Sequence, residues 1–300
     1  MLHFPKQIPS LLAAIFTYFF MTSAYSAVFV GAHPDDIQLF MNKNVSVDIY
    51  GGHPTVLVLL TAGDAGNGNS GINSHGIPYY RARLNAHESS VRYWVSLIGG
   101  AVPKSIYSKE QFGAYSIEKV QIRNVVMYNL NLPDGNGDGS GFAATGNKSL
   151  AKLVAQSIPS VSSVDGANTY NLSQLKEVLR LIISRNNVGT PTVFVNYQDY
   201  DLVNNQGTHS DHKSTGDIVR MAVSENPKFA CLGSAIYQDY IIAGFAENLT
   251  EAERNIHIGT WGALNAGLTN SGNENTWDPT HNAWLGRQYY RASVGSPCSF

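Results

Sequence analysis

Apolar residues fall into two kinds of pattern along this chain. Ala27–Ala32 and Thr55–Thr61 are continuous runs. A strand with one solvated face would alternate, so unbroken runs of this length predict strands buried on both faces. Val125–Leu130 and Thr192–Asn196 repeat the signal. The second kind is periodic. Ile37, Phe40, Met41, Val45 and Ile49 recur at helical spacing across residues 37–50, and Gly51-Gly52 stops the helix. Tyr79–Ile98, Leu172–Ile183 and Asp211–Val223 predict three further helices. Strands alternating with helices specify an α/β fold, a mostly parallel sheet with helices on both faces.

In such sheets ligands bind beyond the carboxyl ends of the strands. The polar clusters of this chain fall there, at residues 33–36, 63–66, 131–139 and 197–212. Residues 135–148 and 266–276 are rich in Gly, Asn and Ser and read as loops, and the tail Trp261–Phe300 is aromatic and polar without a clear period. No repeat or linker divides the chain, so residues 27–300 read as one domain.

Residues 1–26 predict a signal peptide. His3 and Lys6 make a weakly basic start, Leu11–Met21 is apolar, and Ala24-Tyr25-Ser26 has the small-x-small form of a cleavage site. The apolar stretch is shorter than the roughly 20 residues that span a bilayer. The expectation is a secreted or periplasmic protein, cleaved near Ser26, with no stable membrane insertion afterwards; an uncleaved anchor is the alternative. A net charge of −2, with 14% charged residues, leaves no basic field for nucleic acid. In an exported chain the two cysteines, Cys231 and Cys298, favour one disulfide that ties down the C-terminus, against the alternative of two buried thiols.

Two clusters carry candidate chemistry. In His33-Pro34-Asp35-Asp36 an imidazole and a carboxylate lie three positions apart on the turn leaving the first strand. Both can point at one ion, and a catalytic zinc site takes three such ligands. Asp35, between them, is left to act as a general base. The plainer reading makes Asp35 a helix cap with Asp36 in the favoured first turn. His209-Ser210-Asp211-His212 precedes a helix and offers a ligand with support beside it; here too a polar cap, from Ser210 or Asp211, is the alternative. Together the clusters supply His, carboxylate and His at the same end of one sheet.

The chain resembles the PIG-L/LmbE family of zinc-dependent N-acetylglucosaminyl deacetylases. The resemblance rests on Ala32-His33-Pro34-Asp35-Asp36, Thr61-Ala62-Gly63-Asp64-Ala65-Gly66, Arg83 near a helix start, Leu132-Pro133-Asp134-Gly135 and His209-Ser210-Asp211-His212, five motifs in order. It implies a Rossmann-like sheet and removal of an acetyl group from an N-acetylglucosamine-type sugar or glycoconjugate, releasing acetate. It assigns His33, Asp36 and His212 as metal ligands and Asp35 as the base. His209 would assist the oxyanion or the leaving amine, Asp211 would orient a histidine, and Arg83 and Asp134 would hold sugar hydroxyls. Zinc is the implied cofactor, and Fe(II) suits the same donors. The chain departs from the family at Ile37 and Leu84, where many members carry Glu, and at Gly207, where some carry Tyr. Those departures keep two alternatives open: a zinc hydrolase of another N-acyl amine, and a carbohydrate-binding member without turnover. A phosphate-binding role for Gly63–Gly71 is disfavoured, since the loop lacks a lysine after its glycines and the G-x-G-x-x-G spacing.

Overall fold

The structure, a computed structural model, describes residues 25–300. In chain order the elements are β1 (Tyr25–Gly31), α1 (Asp36–Phe40), α2 (Asn42–Tyr50), β2 (Thr55–Thr61), α3 (Tyr79–Ser96), β3 (Ile106–Phe112), β4 (Tyr115–Ile122), β5 (Val125–Leu132), α4 (Leu150–Val154), β6 (Val161–Ser162), β7 (Thr169–Tyr170), α5 (Leu172–Asn186), β8 (Thr192–Gln198), α6 (Ser210–Ser224), β9 (Gly233–Tyr237), α7 (Glu251–Asn270), α8 (Pro279–Asn282) and β10 (Tyr290–Ser293). Eight strands form one sheet in the order β10-β9-β8-β1-β2-β5-β4-β3. The five central strands, β9-β8-β1-β2-β5, run parallel, and β10 at one edge and the β3–β4 hairpin at the other are antiparallel.

The continuous apolar runs are buried because both faces of the sheet are covered. In β1, Ala27 and Phe29 face a core shared with α1, α2, α3 and α7, while Val28 and Val30 face a second core shared with α4, α5 and α6. Among the described residues no helix is long and apolar enough to cross a membrane.

Four features depart from the sequence reading. Strand β1 begins inside the segment read as a leader: Tyr25 pairs with Thr192 and donates its hydroxyl to Asp48 Oδ1 (2.7 Å), and the Ser26 hydroxyl donates to the Pro54 carbonyl (3.0 Å). The rest of that expectation, residues 1–24, lies outside the described residues. The helix expected over 37–50 is interrupted at Met41 (φ −121°, ψ 8°). Met41 N–H still reaches the Ile37 carbonyl and Val45 N–H the Met41 carbonyl, so the apolar spacing runs unbroken across the interruption.

The third departure is the hairpin β3–β4, which the reading missed; β3 is largely exposed and carries no apolar run. The largest is α7, a 20-residue helix running through residues read as an aperiodic tail and through half of the expected loop at 266–276. Its buried face is periodic but built from His257, Thr260, Trp261, Leu264, Asn265, Gly267 and Leu268, so polar and small residues hide the stripe from a hydrophobicity pattern. Gly267 lies against the Ala86 backbone and Ser89, which lets α7 pack close on α3.

The C-terminal segment is fastened at both ends. Cys231 and Cys298 form a disulfide that closes a sequence separation of 67. Arg291 on β10 holds both carboxylate oxygens of buried Asp199 (3.0 and 2.8 Å).

Candidate metal centre

The His33–Asp36 turn leaves β1 under tight backbone control. Ala32 N–H donates to Gln198 Oε1 (3.0 Å), and the Thr61 hydroxyl donates to the Ala32 carbonyl (2.8 Å). Asp35 occupies the N-cap position of α1 but makes no capping bond; its carboxylate turns to Arg83 instead (2.5 Å). Asp36 closes the turn, with Oδ2 accepting from His33 N–H (2.6 Å). At the second motif the capping atom belongs to neither Ser210 nor Asp211: His209 Nδ1 accepts from Asp211 N–H (3.1 Å).

These turns bring the expected ligands together. His33 Nδ1 lies 3.1 Å from His212 Nε2, His212 Nε2 lies 3.0 Å from Asp36 Oδ1, and His33 Nδ1 lies 3.5 Å from Asp36 Oδ2. Zinc bonds of about 2.0–2.1 Å in a tetrahedron set donors about 3.3 Å apart, so the three residues fit one ion. The outer nitrogen of each imidazole meets a buried carboxylate: His33 Nε2 is 3.3 Å from Asp211 Oδ2, and His212 Nδ1 is 3.1 Å from Asp239 Oδ2. The His33–Asp211 contact is a hydrogen bond of the kind that fixes tautomer and ring orientation at metal sites, whereas His212 Nδ1 lies close to Asp239 without an aligned hydrogen bond. Asp211 thus orients His33; its distance to His209 Nδ1 is 3.9 Å.

Other donors gather on the far side of His33, where Asp134 Oδ2 lies 3.9 Å from Nε2 and His209 completes a group with Asp134 and Asp211. Spacings there are wider. The tighter set on the Nδ1 side is the better cation site.

The electrostatics agree. Burial alone would lower the pKa of both imidazoles, but Asp36, Asp211 and Asp134 hold His33 well above its ordinary value, and Asp36 and Asp239 push His212 up to about 9. Burial would raise Asp36, and His212 and His33 outweigh it and hold the carboxyl well below the usual range. Four buried carboxylates, Asp36, Asp134, Asp211 and Asp239, surround these rings. A divalent cation held there would satisfy the same charge and displace the protons. His209 differs: burial, then the neighbouring His33 and His212, press its pKa down to about 4.

Arg83 and Asp134 are both brought to the site. Arg83 pairs with Asp35 and donates to the Gly63 carbonyl (3.0 Å), and a β-carbon at Gly63 (φ +55°) would overlap its guanidinium. Asp134 is placed by Asp64, whose carboxylate accepts from the N–H groups of Asp134 and Gly68 (2.7 Å each). A β-carbon at Gly135 would likewise overlap the Asp211 carboxylate.

A cavity of about 200 Å³ opens on the cluster, lined by His33, Asp35, Asp36, Arg83, Asp134 and His209 and walled by Phe40, Tyr240, His281 and Trp284. Asp239, Tyr240, His281 and Trp284 were missed by the sequence reading, since none sits in a motif. One signal was available: Thr250-Glu251-Ala252-Glu253 is a capping box, and it does open α7.

No curated protein matches the chain by sequence. Among solved structures it is similar to the A40926 pseudoaglycone deacetylase Dbv21 (13% identity, 82% of each chain, TM-score 0.44). It is also similar to a triple mutant of the teicoplanin-pathway deacetylase Orf2 (11% identity, 86% of this chain and 88% of that one, TM-score 0.46) and to the zinc-inhibited form of Orf2 (12% identity, 80% and 83%, TM-score 0.41). The PIG-L family, described as GlcNAc-PI de-N-acetylase, matches residues 28–223, a stretch that contains every motif residue around the cluster. With the match covering well over half of the sequence, the chain belongs to the PIG-L family of de-N-acetylases.

Proposed function

We propose that the protein is a metal-dependent N-deacetylase acting on an N-acetylglucosamine-type sugar or glycoconjugate, with His33, Asp36 and His212 holding zinc or Fe(II). The observation that carries this reading is the paired orientation of the two histidines. Each turns one nitrogen towards Asp36 within 3.5 Å and rests the other on a buried carboxylate. When bound, the metal would supply a Lewis acid that polarises the acyl carbonyl and acidifies water.

Asp35 takes a proton from the attacking water as its oxygen bonds to the acyl carbon. Arg83 holds the Asp35 carboxylate at the cavity wall, so its role extends beyond the sugar hydroxyls the resemblance implies. Asp134 faces the same cavity as the hydroxyl-binding partner. His209 acts as a neutral ring. Its Nδ1 accepts a backbone hydrogen bond, so the ring hydrogen sits on Nε2 and can donate to the developing oxyanion. The C–N bond then breaks, the amine takes the proton held by Asp35, and acetate and an amino sugar leave. The disulfide supports an exported protein, because such bonds persist in oxidising compartments.

The test is the metal content of the purified protein together with acetate release from N-acetylated sugars, for wild type and His212→Ala. One metal per chain, lost with His212, and acetate from wild type alone are expected. Absence of metal after reconstitution would sink the assignment.

A further inference from the structure

The chain contains two Asn-Gly pairs, Asn67-Gly68 and Asn136-Gly137. An asparagine before a glycine is open to attack from within the chain, because glycine has no β-carbon to keep its backbone nitrogen away from the asparagine side chain. The structure sets the two pairs apart. At the first, both groups are engaged elsewhere: Gly68 N–H donates to a carboxylate oxygen of buried Asp64 (2.7 Å), and Asn67 Nδ2 donates to the Asp64 carbonyl (2.9 Å). Gly68 is itself buried. At the second, the side chain folds back on its own glycine. Gly137 is exposed, and its N–H donates to Asn136 Oδ1 (2.8 Å). Asn136 has φ +66°, in the left-handed region that asparagine enters more readily than most residues. We propose that Asn136-Gly137 is a site of spontaneous deamidation, and that the isoaspartyl link formed there loosens the start of α6.

The reaction needs only solvent. Hydroxide takes the Gly137 amide proton, and the nitrogen attacks Asn136 Cγ. A bond from that nitrogen to Cγ closes a five-membered imide as the Cγ–Nδ2 bond breaks, and Nδ2 takes a proton from water and leaves as ammonia. Water then opens the imide. Attack at Cγ gives an aspartyl residue. Attack at the main-chain carbonyl frees that carbonyl as a carboxylate and leaves the chain running through the side chain, one carbon longer.

The consequence follows from what this turn holds. The Gly137 carbonyl accepts from Ser210 N–H (3.0 Å), and the Asn136 carbonyl accepts from the Ser210 hydroxyl (2.7 Å). Ser210 is the first residue of α6 and stands between His209 and Asp211. Asn136 N–H also donates to Asp134 Oδ1 (2.9 Å). An isoaspartyl link removes one of the two carbonyls from the backbone and displaces the other, so Ser210 loses its anchor. The deamidation is independent of the deacetylase reading; only its effect on acetate release rests on that reading.

The experiment ages the full chain at mildly alkaline pH, as wild type and as Gly137→Ala. A β-carbon at Gly137 meets nothing within 4 Å and the residue lies outside the left-handed region, so the fresh variant should match wild type in melting and acetate release. Peptide mass mapping and labelling by an isoaspartyl methyltransferase follow the modification, and hydrogen–deuterium exchange follows residues 209–212. In wild type the peptide holding Asn136 should gain one mass unit and take the methyl label about ten times faster than the peptide holding Asn67, and Gly137→Ala should slow it by a similar factor. Exchange at residues 209–212 should rise, and acetate release fall, in proportion to the isoaspartate formed. Equal rates at the two asparagines, or no slowing in Gly137→Ala, overturns the site. Isoaspartate at position 136 with unchanged exchange overturns the link to α6. Labelling and faster exchange in a protein that releases no acetate even when fresh would leave this inference standing and remove the deacetylase reading.

Discussion

Residues 28–223 and the segment from β9 to the C-terminus contribute differently to the same cavity. The first stretch supplies the three donors that meet within 3.5 Å, together with Asp35, Arg83, Asp134 and His209, all on turns that leave parallel strands or at helix starts. The second supplies Asp239 behind His212 and the walls Tyr240, His281 and Trp284. Chemistry sits where strand ends converge, because a sheet fixes those ends relative to one another. The cavity's shape, and the carboxylate behind His212, come from a segment whose motifs are not visible.

The sharpest break in that comparison lies in the first stretch. His212→Ala should lose both metal and acetate release. Asp35→Asn should keep the metal and lose turnover by about 10² to 10⁴, the usual worth of a positioned base. Metal analysis and acetate assay on the same samples check this, and wild-type turnover by Asp35→Asn would remove Asp35 from the mechanism. Next in size is the clasp on the second stretch. Cys298→Ser opens a 67-residue closure and should cost about 4 kcal/mol by the chain-entropy rule, read as a lower urea midpoint.

Acid should then test whether the two regions unfold together. His87 on α3 and His257 on α7 are fully buried, and burial presses each pKa down to about 4. A histidine whose folded pKa is depressed contributes stability above its unfolded value near 6.5 and loses it as pH falls towards 4. By pH 5 each should cost about 2 kcal/mol. His87→Gln and His257→Gln should each flatten the fall in urea midpoint between pH 7 and pH 5. A separate early transition that only His257→Gln shifts would show that the second region opens by itself. Of similar size is the effect of Asp239→Asn, which should weaken metal binding by about 10- to 100-fold in chelator competition. An unchanged affinity would reduce the second region to a wall.

The sequence was most legible where burial is two-sided. β1, β2, β5 and β8 are central strands, and their apolar runs announce them. The motif residues were legible because their turns are short, so spacing along the chain translates into proximity. His33, Asp36, Asp211 and His212 meet as expected, with Asp211 turned to His33. Legibility fails for β3, whose edge position leaves it exposed, and for β9, whose five residues are too few for a pattern. It also fails for α7, where His257, Thr260 and Asn265 stand at core positions. Asp239 could not be read at all: its role depends on a contact across 27 residues to His212, made by a turn that no local signal predicts.

The clasp between Cys231 and Cys298 has one more consequence. Every residue that the second region brings to the cavity, from Asp239 to Trp284, lies inside the ring that this bond closes. A protease that nicks the exposed stretch around Glu274 and Asn275 would therefore leave two polypeptides still joined by sulfur, with α7 on one and His281 on the other. Such a nicked molecule would migrate as one species until a thiol was added, and only then come apart.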